Sequence, residues 1–232
     1  MMTINNKTLA SLHATLASRT ISSADLNMTT QWAAQSLLPY YGDAVHQFKQ
    51  LDLEFTLSCA SADALEKAKS KFAAELIKAT LKFDDISLYY DGVLESITWT
   101  PVTPEIEDCA VTFIGIASAA EVTINIASSA TSITINNPGN LPSPATIAIN
   151  PGSTMATLTI TGLSDDPIVC KNLTSGKIRI IDGVSGLVLE GSTNKYPDTE
   201  LWEFPRLPPG STTVKLSRSG CTVTIKYKPR YI

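Results

Sequence analysis

Residues 201–232, LWEFPRLPPGSTTVKLSRSGCTVTIKYKPRYI, restrict the fold more than any other stretch of the chain. Pro205, Pro208 and Pro209 remove three backbone donors, so residues 204–210 cannot run as a central strand. Pro209-Gly210 suits the middle of a type II turn, with proline presetting φ and glycine supplying the positive φ that follows. Strict alternation comes next. Thr212, Val214 and Leu216 share one face, and Cys221, Val223, Ile225 and Tyr227 share another. If these two runs form a hairpin, parity places Leu216 opposite Val223 and Val214 opposite Ile225, with Ser219-Gly220 as a two-residue loop. The expected hairpin has one buried face and one face of lysine and threonine.

The chain of 232 residues is long for one core and comfortable for two. Charged residues make up 17% and aromatics 7%, both low, while Thr, Ser, Ala and Ile abound, as in β-structure with small surface side chains. The net charge of −4 asks for neither nucleic acid nor anionic lipid. Its distribution is uneven: residues 1–115 hold 8 basic and 14 acidic side chains, and residues 116–232 hold 10 and 8. The composition shifts near residue 117, which places a domain boundary between 1–116 and 117–232. Cys59, Cys109, Cys170 and Cys221 are widely spaced and form no CxxC pair, so they read as reduced thiols, not as a disulfide framework or a zinc site. The first twenty residues have no apolar segment of signal-peptide type, and no apolar run is long enough to span a bilayer.

In chain order, residues 1–50 carry no long period beyond a strand near 2–9. Trp32, Leu37, Leu38, Tyr40 and Tyr41 suggest a partly buried loop or short strands there. Residues 51–59 alternate cleanly, with Leu51, Leu53, Phe55, Leu57 and Cys59 on one side and Asp52, Glu54, Thr56 and Ser58 on the other. The spacing of Leu65, Ala68, Phe72, Leu76 and Ala79 predicts a helix over 63–80, capped by Ser61 or Asp63. Residues 81–99 read as a hairpin turning at Asp91-Gly92 and apolar on both faces. Residues 109–116 form the next strand. Beyond 117, short strands at 122–127, 132–136, 145–149, 156–161, 177–182, 187–191 and 201–204 alternate with turn signals, the pattern of a β-sandwich.

Residues able to carry out catalysis are scarce. The only histidines are His13 and His46, and no G-x-S-x-G accompanies the nearby Asp43. Asp84-Asp85 would point to opposite faces of a strand, and Asp165-Asp166-Pro167 reads as a turn without a full set of calcium ligands. No phosphate-binding glycine loop is present. Trp202, Phe204, Tyr227 and Tyr231 admit a sugar-stacking platform as well as core or interface packing. No catalytic, cofactor or metal residue is assigned.

The run Phe204-Pro205-Arg206-Leu207-Pro208-Pro209-Gly210-Ser211 and the run from Val223 to Ile232, VTIKYKPRYI, resemble the C-terminal signature of distal tail proteins of long-tailed, non-contractile phages and related prophages. The layout of the remaining chain is similar to theirs over its full length. The resemblance implies a mainly β (α+β) protein, with an N-terminal β-barrel-like, tail-tube-related domain carrying one helix and a C-terminal galectin-like β-sandwich. It implies a hexameric ring at the virion tail tip, made in the host cytoplasm. One side of the ring would meet the major tail tube protein, and the other the tail-associated hub and adhesion or baseplate proteins. Phage DNA would pass through without specific binding. No enzyme activity, cofactor or membrane insertion is implied. The acidic first half suits such a lumen, with Asp52, Glu54, Asp84, Asp85, Glu105, Glu107 and Asp108 as candidate lumen-facing acids, and the two-sided strand pair at 86–97 suits subunit contacts. Two other classes are kept beside it: a carbohydrate-binding adhesin using Trp202 and its neighbours, and a hydrolase using His13 or His46.

Overall fold

The computed structural model describes residues 2–232, with Asp43 described by its backbone alone. The chain divides into two compact units after Ser118.

The first unit contains β1 (Met2–Ile4), β2 (Lys7–Thr8), β3 (Ala14–Ile21), β4 (Leu26–Gln31), β5 (Tyr40–His46), β6 (Lys49–Ser58), helix α1 (Ala62–Leu76), β7 (Lys78–Phe83), β8 (Tyr89–Thr103) and β9 (Ile106–Ser118). Its main sheet is antiparallel throughout, in the order β2-β1-β7-β8-β9-β6-β3, while β4 and β5 pair only with each other. Asn5 and Asn6, at φ 51° and 63°, make the tight turn between β1 and β2. Asparagine tolerates this left-handed pair, which matches the twist of the flanking strands. The Asn5 side chain also accepts from Thr80 N at 2.9 Å and donates to Glu75 O at 3.1 Å, tying the turn to the end of α1.

The β6 alternation is as expected: Leu51, Leu53, Phe55 and Leu57 are buried. Opposite them lies the stripe Leu65, Ala68, Phe72 and Leu76 of α1. Phe72 meets Phe55 edge-on at 5.0 Å and Trp99 at 6.3 Å, the geometry that aromatic quadrupoles prefer. Burial of each large apolar side chain stabilises the unit by roughly 1.5–3 kcal/mol. Ser61 caps the helix, accepting from Ala64 N at 3.3 Å.

Two expectations fail in this unit. The helix stops at Leu76 rather than reaching 80, because Ala79, Leu81 and Phe83 alternate inward as strand β7. Ala79 satisfies the helical stripe and the strand period at once, so its burial alone does not decide between them. The second failure is at Asp91-Gly92, which is not a turn. Gly92 lies within β8, between Ala79 of β7 and Gly115 of β9. A Cβ built on Gly92 would stand 2.0 Å from Ile114 O and 2.6 Å from Gly115 Cα. The glycine therefore serves a close backbone approach inside the sheet. The chain reverses instead through residues 84–88, and the strand pair that follows, β8–β9, turns at Pro104-Glu105.

The second unit is a β-sandwich. Its strands are β10 (Val122–Ile126), β11 (Ser132–Asn137), β12 (Ser143–Pro151), β13 (Met155–Thr161), β14 (Ile168–Leu173), β15 (Arg179–Asp182), β16 (Leu187–Glu190), β17 (Thr193–Asn194), β18 (Thr199–Glu200), β19 (Arg206–Leu207), β20 (Gly210–Leu216), β21 (Cys221–Tyr227) and β22 (Arg230–Tyr231). One sheet runs β10-β21-β12-β15-β16-β17 and the other β11-β20-β13-β14-β18. Aliphatic side chains from both sheets, among them Ile147, Ile149, Leu158, Ile160, Val214 and Ile225, make the core.

The expected C-terminal hairpin is not formed. β20 pairs with β11 and β13, β21 pairs with β10 and β12, and residues 217–220 cross between the sheets. Val223 lies opposite Ile149 and Ile126, not Leu216. Both apolar faces do point into one core, but from opposite sides of it. Alternation reports which face is buried and is silent on whether two strands lie side by side or face to face. Residues 201–204 also depart from expectation: they form a loop after β18, with Trp202 outside. All four cysteines are free thiols, and burial pushes Cys109 and Cys170 up to about 12.

Candidate functional site: an acidic, hydroxyl-lined sheet face

Strands β8, β9, β6 and β3 lie side by side, and their register sets out the face turned away from α1. One row across the sheet reads Ser96, Thr112, Asp52, Thr20. The next reads Thr98, Ala110, Glu54, Ser18, and a third Thr100, Asp108, Thr56, Thr15. Three carboxylates thus stand on a surface of hydroxyls and methyls, and no lysine or arginine occupies these rows. Neighbouring strands are about 4.8 Å apart and alternate residues about 6.7 Å apart, so the charges share one small field. Two hollows of about 220 and 320 Å³ open on this face, and Glu54 lines both.

The carboxylates are held by neutral donors. Asp52 accepts from Gln50 Nε2 at 3.0 Å and Thr112 Oγ1 at 3.3 Å, Glu54 from Ser18 Oγ at 2.7 Å, and Asp108 from Thr56 Oγ1 at 2.7 Å. Hydroxyl and amide donors orient a carboxylate without cancelling its charge, as an ion pair would. The face keeps its full negative sign.

The other acids proposed from sequence lie elsewhere. Glu107 points to the opposite face, is only 9% exposed, and sits 2.8 Å from Lys69 Nζ, which itself lies over the Trp99 ring. Adjacent strand residues face opposite ways, so Asp108 and Glu107 cannot both belong to one surface. Asp84 and Asp85 occupy the exposed loop before β8. Asp85 pairs with Arg19, whose guanidinium covers Phe83, and this pairing holds its carboxyl at about 2. Glu105 lies in the turn between β8 and β9. Glu95, absent from the sequence-derived set, is exposed at the bulge where β8 pairs Leu94 with Phe113 and then Ser96 with Thr112. A second bulge, at Ala17, shifts β3 by one residue, so Leu16 and Arg19 face inward while Ser18 and Thr20 face out. That shift hides β3 from any period-2 reading.

Both edges of this four-stranded region are open. No described strand pairs with the far side of β3, and β7 pairs with β8 only through residues 89–93, leaving 95–103 unpaired on that side. The two-sided strand pair expected at 86–97 is a loop followed by one strand, on which Val93 is exposed and Leu94 and Ile97 are half-buried.

The β4–β5 hairpin is a second unusual surface. Leu26, Met28, Trp32, Leu37, Leu38, Tyr40, Tyr41, Val45 and Phe48 are all exposed, Leu37 at 94%. Of the residues expected in a partly buried loop or short strands, Trp32, Leu37 and Leu38 lie in the loop and Tyr40 and Tyr41 on β5, and none is buried, because a lone two-stranded ribbon has no second layer to cover it. His46 lies on β5, and the Asp43 side chain lies outside the described residues. His13 is exposed at the end of a 3-10 turn. Asp165 pairs with Arg206 at 3.0 Å. Among the described residues no group of three His, Cys, Asp or Glu side chains converges on one point, and no helix is long and apolar enough to cross a membrane.

Comparison with known proteins gives no matching family profile and no matching curated protein. Solved structures do match. The crystal structure of the SPP1 Dit protein, described as a paradigm of the hub adsorption apparatus in phages infecting Gram-positive bacteria, aligns with a TM-score of 0.77 at 13% identity. The alignment covers 100% of this chain and 98% of that one. The phage P2 baseplate in its activated conformation with Ca aligns at 0.58 and 15% identity, over 95% of this chain and 92% of that one. The same baseplate with Sr aligns at 0.56 and 14% identity, over 93% and 90%. The mainly β fold of this chain is that of phage distal tail proteins.

Proposed function

We propose that this chain is a structural component of a phage tail tip. Copies would join head to tail into a ring, and the face bearing Asp52, Glu54 and Asp108 would line a channel for DNA. The observation that carries this reading is the four-stranded region β8-β9-β6-β3, which has two open edges and one face of a single charge sign. The strands alternate in direction, so β3 of one copy meets β8 of the next antiparallel. Pairing of one edge with the other edge of a neighbour is heterologous, and such contacts either close into a ring or run on as a filament. Closure removes the exposed edges, which otherwise invite aggregation. The full-length likeness to a hub protein supports a closed ring, and the distal-tail resemblance favours six copies.

The chemistry of the face suits passage without capture. Duplex DNA carries one negative charge per roughly 1.7 Å. A wall of carboxylates repels it within a Debye length, about 8 Å at physiological salt, and the hydroxyls between them keep the wall hydrated. The apolar β4–β5 ribbon fits a docking arm whose cover is the neighbouring copy. On this reading the ring joins the tail tube to the hub and adhesion proteins, sits at the tail tip of the virion, and has no catalytic task.

Multi-angle light scattering across a concentration series, with negative-stain imaging of the largest species, tests this. A closed ring with a central opening is the expected result, with the opening lost when β3 edge pairing is blocked by Ala17→Pro. A strict monomer at every concentration, or an open filament, would overturn it.

A further inference from the structure

Trp202 is the most exposed aromatic residue of the sandwich, at 87%. Its loop is anchored on both sides. Glu200 pairs with Val169 in the sheet, Ala145 N donates to Pro205 O at 2.8 Å, and Arg206 N donates to Leu163 O at 2.6 Å. On the same segment the rings of Tyr196 and Phe204 pack at 6.4 Å, with Tyr196 exposed. An indole kept in water on a fixed loop adds little to the fold, since burial is what makes a tryptophan stabilising.

The polar groups beside it indicate what it meets. Arg206 Nη2 lies 2.9 Å from Glu203 Oε2 and 3.0 Å from Asp165 Oδ2, which ties the residue after Trp202 into a cluster of three planar groups and leaves carboxylate lone pairs over. Every cation of the segment already has an acidic partner: Lys195 pairs with Asp198, and Arg206 with Glu203 and Asp165, while Lys171 answers Glu200. A polyanion would find no free positive charge. Val184, Leu187 and Tyr196 are exposed as well, and Phe204 lies against Gly186, so a protein contact, which needs about 800 Å² on each side, is the competing occupant that the test below separates.

We propose that Trp202, with Glu203, Asp165 and Arg206, binds an uncharged hexopyranose polymer. The indole stacks on the apolar C–H face of one pyranose ring, and the carboxylates of Glu203 and Asp165 accept hydrogen bonds from its hydroxyls. This assignment goes beyond the ring-forming role and does not depend on it.

Affinity electrophoresis of the full chain tests it, in native gels containing dextran, galactomannan, a mixed-linkage β-glucan or polygalacturonate. Migration is retarded by at least one neutral polymer and not by polygalacturonate. Trp202→Ala weakens that retardation about tenfold or more, the size of one lost aromatic stack together with its buried area, and Trp202→Phe weakens it less. The side chain is exposed, so Trp202→Ala keeps the wild-type circular dichroism and melting temperature. Retardation by none of the neutral polymers, equal retardation of Trp202→Ala, or retardation by polygalacturonate alone would overturn the proposal. So would a changed oligomer mass in Trp202→Ala without glycan binding, which would give the indole to a protein contact. Light scattering of the wild type reports on the ring separately, so either reading can fail alone.

Discussion

Gly92→Ala is the most direct probe of the first unit. The added methyl would stand 2.0 Å from Ile114 O, 2.6 Å from Gly115 Cα and 2.8 Å from Ile114 C, all backbone atoms. No rotamer change can relieve contact with backbone. Normal carbon–oxygen separation needs β8 and β9 to part by more than an ångström, in the middle of a sheet where β8 is also held by β7. Overpacking that can relax costs about 1–3 kcal/mol. Here ladder hydrogen bonds stretch as well, each contributing about 1 kcal/mol, so a loss of about 3–5 kcal/mol is expected. That is a large fraction of a typical domain's stability of about 5–15 kcal/mol. The two units need not unfold together, so the probe has to report on one of them. Trp99 lies in the first unit, and a Trp32→Phe, Trp202→Phe background leaves it as the sole indole. Urea unfolding followed by its fluorescence, with and without Gly92→Ala in that background, gives the difference in stability. A loss below about 1 kcal/mol, the ordinary conformational difference between glycine and alanine, would refute the close-approach argument and return Asp91-Gly92 to a turn.

Further outcomes follow from charge and burial. Arg179 is fully buried, its Nη2 is 3.1 Å from Glu190 Oε2, and its Nε and Nη1 find no acceptor among the described residues. Removing one partner of a buried pair costs about 3–5 kcal/mol; Glu190→Gln should therefore unfold the sandwich at markedly lower urea, while Arg179→Met with Glu190→Leu recovers most of the loss. Asp85 is held at about 2 by Arg19, below its ordinary value of 3.8. A depressed carboxyl contributes stability that is fully present above its unfolded pKa and disappears as pH falls from about 4 to about 2. Melting temperatures across that window should fall more steeply for the wild type than for Asp85→Asn, and parallel profiles would count against the pair. Burial pushes the Cys109 and Cys170 thiols up to about 12, so iodoacetamide at pH 8 should leave both unmodified in the native protein, as peptide mass spectrometry can show, and label them once urea is added.

What was legible in the sequence was burial, and what escaped was partnership. The inward sets of β6, β20 and β21 follow directly from alternation, because a side chain's face is a local property of its strand. The neighbour of each strand is a long-range property, so β20 and β21 read equally well as a hairpin and as two strands facing each other across a core. Local irregularity hid more. The bulges at Ala17 and Glu95 each insert a residue, which turns an even period odd and conceals the hydroxyl rows of β3 and β8. Of the candidate acids, parity along β6 and β9 was enough to group Asp52 with Glu54 and to separate Glu107 from Asp108, whereas their meeting across strands needed the register. The apolar β4–β5 ribbon misleads for a different reason: hydrophobic side chains signal burial against something, and within a single chain that something can be missing.

The crossing at residues 217–220 has a consequence for how the sandwich comes to exist during synthesis. β21 stands between β10 and β12, and β20 stands between β11 and β13. Until residues 210–227 have left the ribosome, each sheet is split into pieces that cannot hydrogen-bond to one another. The earlier strands must wait some fifty to a hundred residues with their edges unpaired, which makes this a slow-folding, high-contact-order domain. During that interval the nascent chain is a client for chaperones and a hazard to its neighbours on the same polysome. Translation that stops short of β20 would leave each sheet in two pieces with nothing to join them.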